Sequence, residues 1–270
     1  MPTHTLNGLD YHVAEYGNGP EAVLLLHGFT GSSAGWAPIT TRLARRYRVL
    51  VPDLLGHGAT ATPPNPERYR IECAADDLIA LLDRLALANV HWVGYSMGAR
   101  LALKAALHHP ERVRSLTLES GSPGLATAEE RMARVAADTT LADRIEREGL
   151  EAFVAYWEAL PLFASQMRLS ESVRASLHAA RLRNNPLGLA NSLRGMGTGA
   201  QPSAWEALQG FTRPTRLIVG ALDAKFVAIA AQMQARLPQA LTTIVPAVGH
   251  TVHLENPSAF LPALVRGFER

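Results

Sequence analysis

The sequence predicts an α/β fold: a mostly parallel sheet flanked by helices, with an inserted helical cap between two of the strands. Three observations predict it. Short aliphatic runs alternate with longer helix-like patterns, as parallel strands with covering helices require. The alternation halts for about 85 residues between two strands, far longer than an ordinary connection. The chain has 270 residues, 47% of them hydrophobic, and a net charge of +2, so it can bury a sizeable core and is too apolar and too weakly charged to be disordered.

In chain order, Tyr11 to Tyr16 reads as an edge strand and Ala22 to Leu26 as the first core strand. A helix over Ser33 to Arg45, a strand over Arg48 to Val51, a helix over Ile71 to Leu87 and a strand over Val90 to Val93 follow. Next come a helix over Met97 to His108 and a strand over Val113 to Leu118. The interruption runs from Ser122 to Gln209 and carries helical patterns over Ala128 to Arg147, Leu150 to Ala159 and Glu171 to Arg183, with no strand pattern. Turn residues mark its edges, Ser122-Pro123-Gly124 and Gly210 to Pro214. The alternation resumes with strand Thr215 to Val219, helix Phe226 to Arg236, strand Leu241 to Val245 and helix Pro257 to Phe268. The expected organisation is therefore a sheet unit of residues 1–121 and 210–270 carrying a cap of residues 122–209.

Several classes fall away on composition. The longest aliphatic runs, such as Ala22 to Leu26, are far below the roughly 20 residues of a membrane span. Met1 to Asp10 lacks the basic start and apolar stretch of a secretion signal. The one cysteine, Cys73, has no partner for an internal disulfide, which fits a reducing compartment. Lys104 and Lys225 are the two lysines, so 24 of the 26 basic residues are arginine. They form no concentrated stripe, which argues against nucleic acid. The expectation is a cytoplasmic protein acting on a small molecule, with no membrane, no metal and no cofactor. Composition sets no oligomeric state.

Gly94-Tyr95-Ser96-Met97-Gly98 has the G-x-S-x-G pattern of a nucleophile elbow, placed between a strand and a helix as that turn requires. A serine hydroxyl needs a general base. Of ten histidines, His250 follows the last predicted strand, and Asp223 follows the strand over Thr215 to Val219. Elbow enzymes order their residues serine, acid, histidine, which favours Asp223 and His250. Glu119, at the end of a neighbouring strand, competes for the acid's place, and His253 for the base's. Asp53 reads as a loop anchor and His27 as structural. In elbow enzymes the loop after the first core strand and the residue after the nucleophile supply oxyanion-stabilising amides. Here these are the amides of Phe29 and Met97. Arg100 stands one helical turn after Ser96 among apolar neighbours. Buried there, it needs either a structural carboxylate or an anionic ligand, and the ligand is the favoured reading.

The whole chain resembles the α/β-hydrolase-fold family and, more narrowly, the 2-succinyl-6-hydroxy-2,4-cyclohexadiene-1-carboxylate synthases of menaquinone (vitamin K2) biosynthesis. His27-Gly28-Phe29, Gly94 to Gly98, Asp223 and His250 carry the broad likeness. The narrower one rests on Tyr95 to Arg100, Glu119 to Leu125, Pro161 to Ser165, Asn184-Asn185-Pro186 with Gly188 to Ala190, and Asp223 to Phe226. The resemblance implies catalysis by Ser96, Asp223 and His250, carboxylate binding by Arg100, Arg131 and a cap arginine, and pocket positions at Tyr95 and Trp157. Arg181 and Arg183 both precede the paired asparagines, and Arg181 is preferred. Ala99 departs from the glycine expected there.

The implied reaction is an elimination of pyruvate from a tricarboxylate, with the serine as base. The bidentate fork of arginine suits such a substrate. A serine esterase or carbon–carbon bond hydrolase on the same residues is the alternative, and a non-catalytic ligand receptor a more distant one.

Overall fold

The computed structural model describes residues 3–269. Its strands are β1 (Thr3–Leu6), β2 (Leu9–Tyr16), β3 (Ala22–Leu26), β4 (Arg48–Pro52), β5 (Val90–Tyr95), β6 (Val113–Glu119), β7 (Thr215–Gly220) and β8 (Ala240–Val245). Its helices are α1 (Ala37–Leu43), α2 (Ile71–Arg84), α3 (Met97–His108), α4 (Ala128–Glu158), α5 (Glu171–Arg181), α6 (Pro186–Met196), α7 (Ala224–Gln234), α8 (Val252–Glu255) and α9 (Pro257–Phe268).

The described strands form one sheet in the order β1-β2-β4-β3-β5-β6-β7-β8, antiparallel at β1–β2 and β2–β4 and parallel elsewhere. The stretch Tyr11 to Tyr16 is therefore not an edge strand. It lies second, covered by β1, whose four residues alternate exposed and buried and are too short and polar to stand out in sequence.

Strands of a sheet covered on both faces read as continuous apolar runs, and every residue of β3 is buried. Alternate side chains go to opposite faces. Leu24 and Leu26 join an apolar cluster with α2, α3 and α7. Val23 and Leu25 join another with Trp36, Ile39 and the α9 residues Phe260 and Leu264.

Between β6 and β7 the chain is helical. α4 opens with a capping box, in which Thr127 and Glu130 bond each other's backbone amides. Its backbone leaves helical geometry at Gly149, between the two helix patterns of that stretch. α6 has no counterpart among the expected helices, although its start is marked: Asn185 accepts from the Leu187 and Gly188 amides, with Pro186 in the first turn. α4 and α6 share a third apolar cluster, including Ile145, Phe153, Leu189 and Leu193, against which Phe29 packs. Among the described residues, no helix is long and apolar enough to cross a membrane.

From β3 the chain crosses to β4 on one side, and later enters β5 on the other. Such a reversal opens a crevice at the carboxyl ends of the strands. The loop after β3 and the turn after β5 meet there.

Candidate active site

Ser96 sits between β5 and α3 with φ 52° and ψ −108°, a backbone conformation that costs free energy and persists only where its surroundings enforce it. Close packing enforces it here. A Cβ on Gly94 would drive into the Gly98 carbonyl, and one on Gly98 into the Leu26 carbonyl of β3. The Ser96 amide donates to the Glu119 carbonyl at 2.9 Å, which ties the turn to β6. Ala99 is accommodated because its methyl faces Gly121, where a Cβ would come within 2.7 Å of it.

Ser96 Oγ donates to His250 Nε2 at 3.1 Å, and His250 Nδ1 donates to Asp223 Oδ2 at 2.6 Å. The imidazole is 1% exposed. Asp223 caps α7, accepting from the Phe226 amide. The competing pair is engaged elsewhere: His253 donates to Glu119 through its amide at 2.9 Å and through Nδ1 at 2.8 Å, while its ring stacks on Trp36 at 4.2 Å.

A cavity of about 220 Å³ covers this chain of hydrogen bonds. Ser96, Met97, His250, Phe29, Tyr95, Arg100 and Trp157 line it, together with Lys225, from the Asp223 to Phe226 segment of the family likeness, and Arg134, which no pattern in the sequence singles out. The first residue of a helix has no intrahelical acceptor for its amide, so the Met97 amide is available at the cavity floor.

Arg100 is 8% exposed. Its Nη1 donates to the Met196 carbonyl at 2.9 Å and to Gln201 Oε1 at 2.8 Å. Among the described residues it has no carboxylate partner. Burial, and then the nearby Arg134 charge, pull the guanidinium down to about 10, with Asp138 acting the other way. It therefore stays charged near neutrality.

The other arginines are placed differently. Arg131 Nη1 donates to the carbonyls of Leu125 and Ala126, and it does not line the cavity. Arg134, three residues on, does, while its Nε is held by Asp138 Oδ1 at 2.8 Å. Arg181 lines a neighbouring cavity of about 80 Å³, sharing Phe29, Tyr95, Trp157 and Phe163 with the larger one. It is paired with Glu158 Oε1 at 2.7 Å, and its Nη2 donates to Gln166 Oε1 at 3.4 Å. Arg183 is exposed and lines neither of these two cavities. Trp157 Nε1 is buried without an acceptor among the described residues. The Tyr95 hydroxyl shares a 2.7 Å hydrogen bond with Thr251, and burial pushes its phenol far up.

His27 is tied on both nitrogens: Nδ1 donates to the Gly28 carbonyl, and Nε2 accepts from the Leu54 amide. Asp53 anchors its loop through the Ser33 and Ala59 amides.

This site, at the switch point of a mostly parallel sheet, places the protein among serine-elbow α/β folds, and the model of the alpha/beta hydrolase fold family matches residues 21–257. A Bacillus subtilis (strain 168) protein, provisionally named 2-succinyl-6-hydroxy-2,4-cyclohexadiene-1-carboxylate synthase, is 49% identical over 255 residues, covering 94% of this chain and 93% of that protein. The synthase of that name from Enterobacter sp. (strain 638) is 34% identical over 249 residues, covering 90% of each. The solved structure of MenH from S. aureus superposes with a TM-score of 0.92 at 31% identity, over 96% of this chain and 98% of that one. The chain belongs to the α/β-hydrolase-fold family and, within it, to the 2-succinyl-6-hydroxy-2,4-cyclohexadiene-1-carboxylate synthases.

Proposed function

We propose that this protein is a lyase of menaquinone biosynthesis acting in the cytoplasm. It eliminates pyruvate from 2-succinyl-5-enolpyruvyl-6-hydroxy-3-cyclohexene-1-carboxylate, giving 2-succinyl-6-hydroxy-2,4-cyclohexadiene-1-carboxylate. The observation that carries the reading is Arg100: a charged guanidinium with no carboxylate partner among the described residues, lining the same cavity as Ser96. An ester pocket is mostly apolar and has no use for such a charge, whereas this substrate brings three carboxylates.

In this reading Ser96 hands its own proton to His250, whose imidazolium Asp223 stabilises, as it takes the proton from the ring carbon beside the succinyl ketone; the imidazole then holds the proton that the leaving enolate takes up. The amides of Phe29 and Met97 receive the enolate oxygen that forms. The electron pair then moves through the ring double bond, the carbon–oxygen bond to the enolpyruvyl group breaks, and the released enolate is protonated to pyruvate. No acyl-enzyme forms. Arg100 holds one carboxylate, with Arg134 and Lys225 at the cavity wall and Arg181 in the adjoining cavity as the further cations, while Tyr95 and Trp157 shape the pocket. Arg131, bonded to two carbonyls of its own approach loop, serves the fold. Residues 122–209 act as the cap over residues 1–121 and 210–270.

The test is incubation with the enolpyruvyl substrate and a coupled assay for pyruvate. Wild type should release it, and Ser96→Ala and His250→Ala should each lower kcat by about a hundredfold or more. Folded wild-type protein that yields no pyruvate, but turns over nitrophenyl esters through an adduct on Ser96, would overturn the lyase reading in favour of a hydrolase.

A further inference from the structure

We propose that Glu255 is a positioning residue for His250: one carboxylate grips the backbone on both sides of the imidazole-bearing residue and so sets the approach of Nε2 to Ser96. This deepens the reading of the site given above and rests on His250 moving the proton.

The geometry is specific. The Gly249 amide donates to Glu255 Oε2 at 2.8 Å, and the Thr251 amide donates to Oε1 at 3.1 Å. Between these two, the His250 carbonyl accepts from Ser120 Oγ at 2.7 Å. Ser120 is itself fixed: it is fully buried, holds φ at 48°, and its amide donates to the Ile218 carbonyl. The backbone around His250 is thus held at three points while Asp223 holds the ring.

Bonds from amides to a carboxylate are stronger than neutral ones, and two on a single carboxylate define an orientation as well as a distance. The loop has little other freedom. A Cβ at Gly249 would run into Ser165, so the segment above packs directly on it. α8, which carries Glu255, is anchored independently, because Glu119 accepts from both the amide and the ring of His253. Glu119 also offers its carbonyl to the Ser96 amide. The nucleophile turn and the histidine loop are therefore joined through Glu119, α8 and Glu255. A misplacement of about 1 Å in such a site costs on the order of a hundredfold in rate.

The experiment uses full-length Glu255→Gln and Glu255→Ala proteins. Gln keeps the volume, but its amide nitrogen faces one of the two backbone donors; Ala removes both acceptors. Three quantities are read: kcat and KM for pyruvate release, the downfield proton resonance of the His250–Asp223 hydrogen bond, and the melting temperature. The proposal expects kcat down about tenfold to a hundredfold with KM within about twofold, the smaller loss in Glu255→Gln, and a shifted or broadened resonance. Wild-type kcat in the folded variants overturns it. So does an activity loss that merely follows the folded fraction while the resonance stays unchanged. If Glu255→Ala fails to fold, Glu255→Gln decides the question alone. A wild type that releases no pyruvate overturns the lyase reading instead, and the resonance still decides whether Glu255 positions the imidazole.

Discussion

Arg100 is held by two carbonyl oxygens and no carboxylate among the described residues, an arrangement that stabilises a fold poorly. A buried charge without a counter-ion is expensive, and replacing it with an apolar group of similar volume is often neutral or stabilising. The cost makes sense if the counter-ion arrives with the substrate. Arg100→Ala should lower kcat/KM at least about tenfold, a little over one kilocalorie per mole of transition-state binding. Arg100→Met should do the same while leaving the thermal midpoint equal or higher. Steady-state kinetics beside a thermal melt checks both, and an unchanged kcat/KM would return Arg100 to tethering Met196 and Gln201. Arg100 could be found in the sequence because it stands alone among apolar residues one turn from the elbow. Arg131 and Arg134 could not be separated that way: three residues apart on one helix, they share a face. Which one reaches the cavity depends on how α4 lies over the sheet, a tertiary fact that family likeness did not supply.

Helices and turns were legible where their signals are local. The elbow needs only Gly94, Ser96 and Gly98 between a strand and a helix, and the break in α4 is marked by Gly149 between two apolar patterns. That glycine has φ 82° and ψ 176°, a region essentially closed to side chains. Its neighbourhood is nevertheless open: a methyl group there would have Glu151 Oε2, at 3.9 Å, as its nearest neighbour. The cost of Gly149→Ala is therefore purely one of backbone conformation, about 1–3 kcal/mol. Gly210→Ala, also in open space but without a positive φ, serves as the control and should stay within about 0.5 kcal/mol. Urea midpoints of the two variants compare them directly, and equal midpoints would show that α4 can straighten or bend elsewhere. Pairings between distant elements were legible only where chain order speaks. Glu119 ends β6 and Asp223 follows the adjacent β7; the order serine, acid, histidine favoured Asp223 with His250, but that His253 occupies Glu119 shows only in three dimensions. The link from Arg181 through Gln166 to Thr251 and Tyr95 joins four separate segments, and no spacing rule points to it.

At the scale of the whole molecule, the sheet order brings the loops after β3 and β4 together, and with them two buried imidazoles, His27 and His57, whose ring centres lie 5.1 Å apart. The six core strands could be read from their aliphatic runs, but this meeting follows from the crossover and could not. Burial first, and then the neighbouring His27, push His57 down to about 3; burial likewise lowers His27, against the opposing pull of Asp53. An unfolded histidine titrates near 6.5. Between that value and about 3 the unfolded chain binds a proton at position 57 that the native state refuses, so stability falls as pH falls. The contribution is fully present above pH 6.5 and drains away through the window, at a limiting slope of about 1.4 kcal/mol per pH unit for one such group. Carboxylates paired in the native state add their own acid sensitivity, so the wild-type curve alone assigns nothing to His57. The comparison that does is with His57→Asn, which keeps an NH donor for the Leu55 carbonyl that His57 Nδ1 now contacts at 3.1 Å but cannot titrate. At pH 7 the variant should be less stable, because it leaves unfilled volume among His27 and Phe29. On acidification from pH 6.5 to 4 its urea midpoint should fall less steeply than that of wild type, narrowing or reversing the gap. Parallel curves across that range would mean that the wild-type imidazole is protonated within the fold, and that water reaches the loops beneath the site.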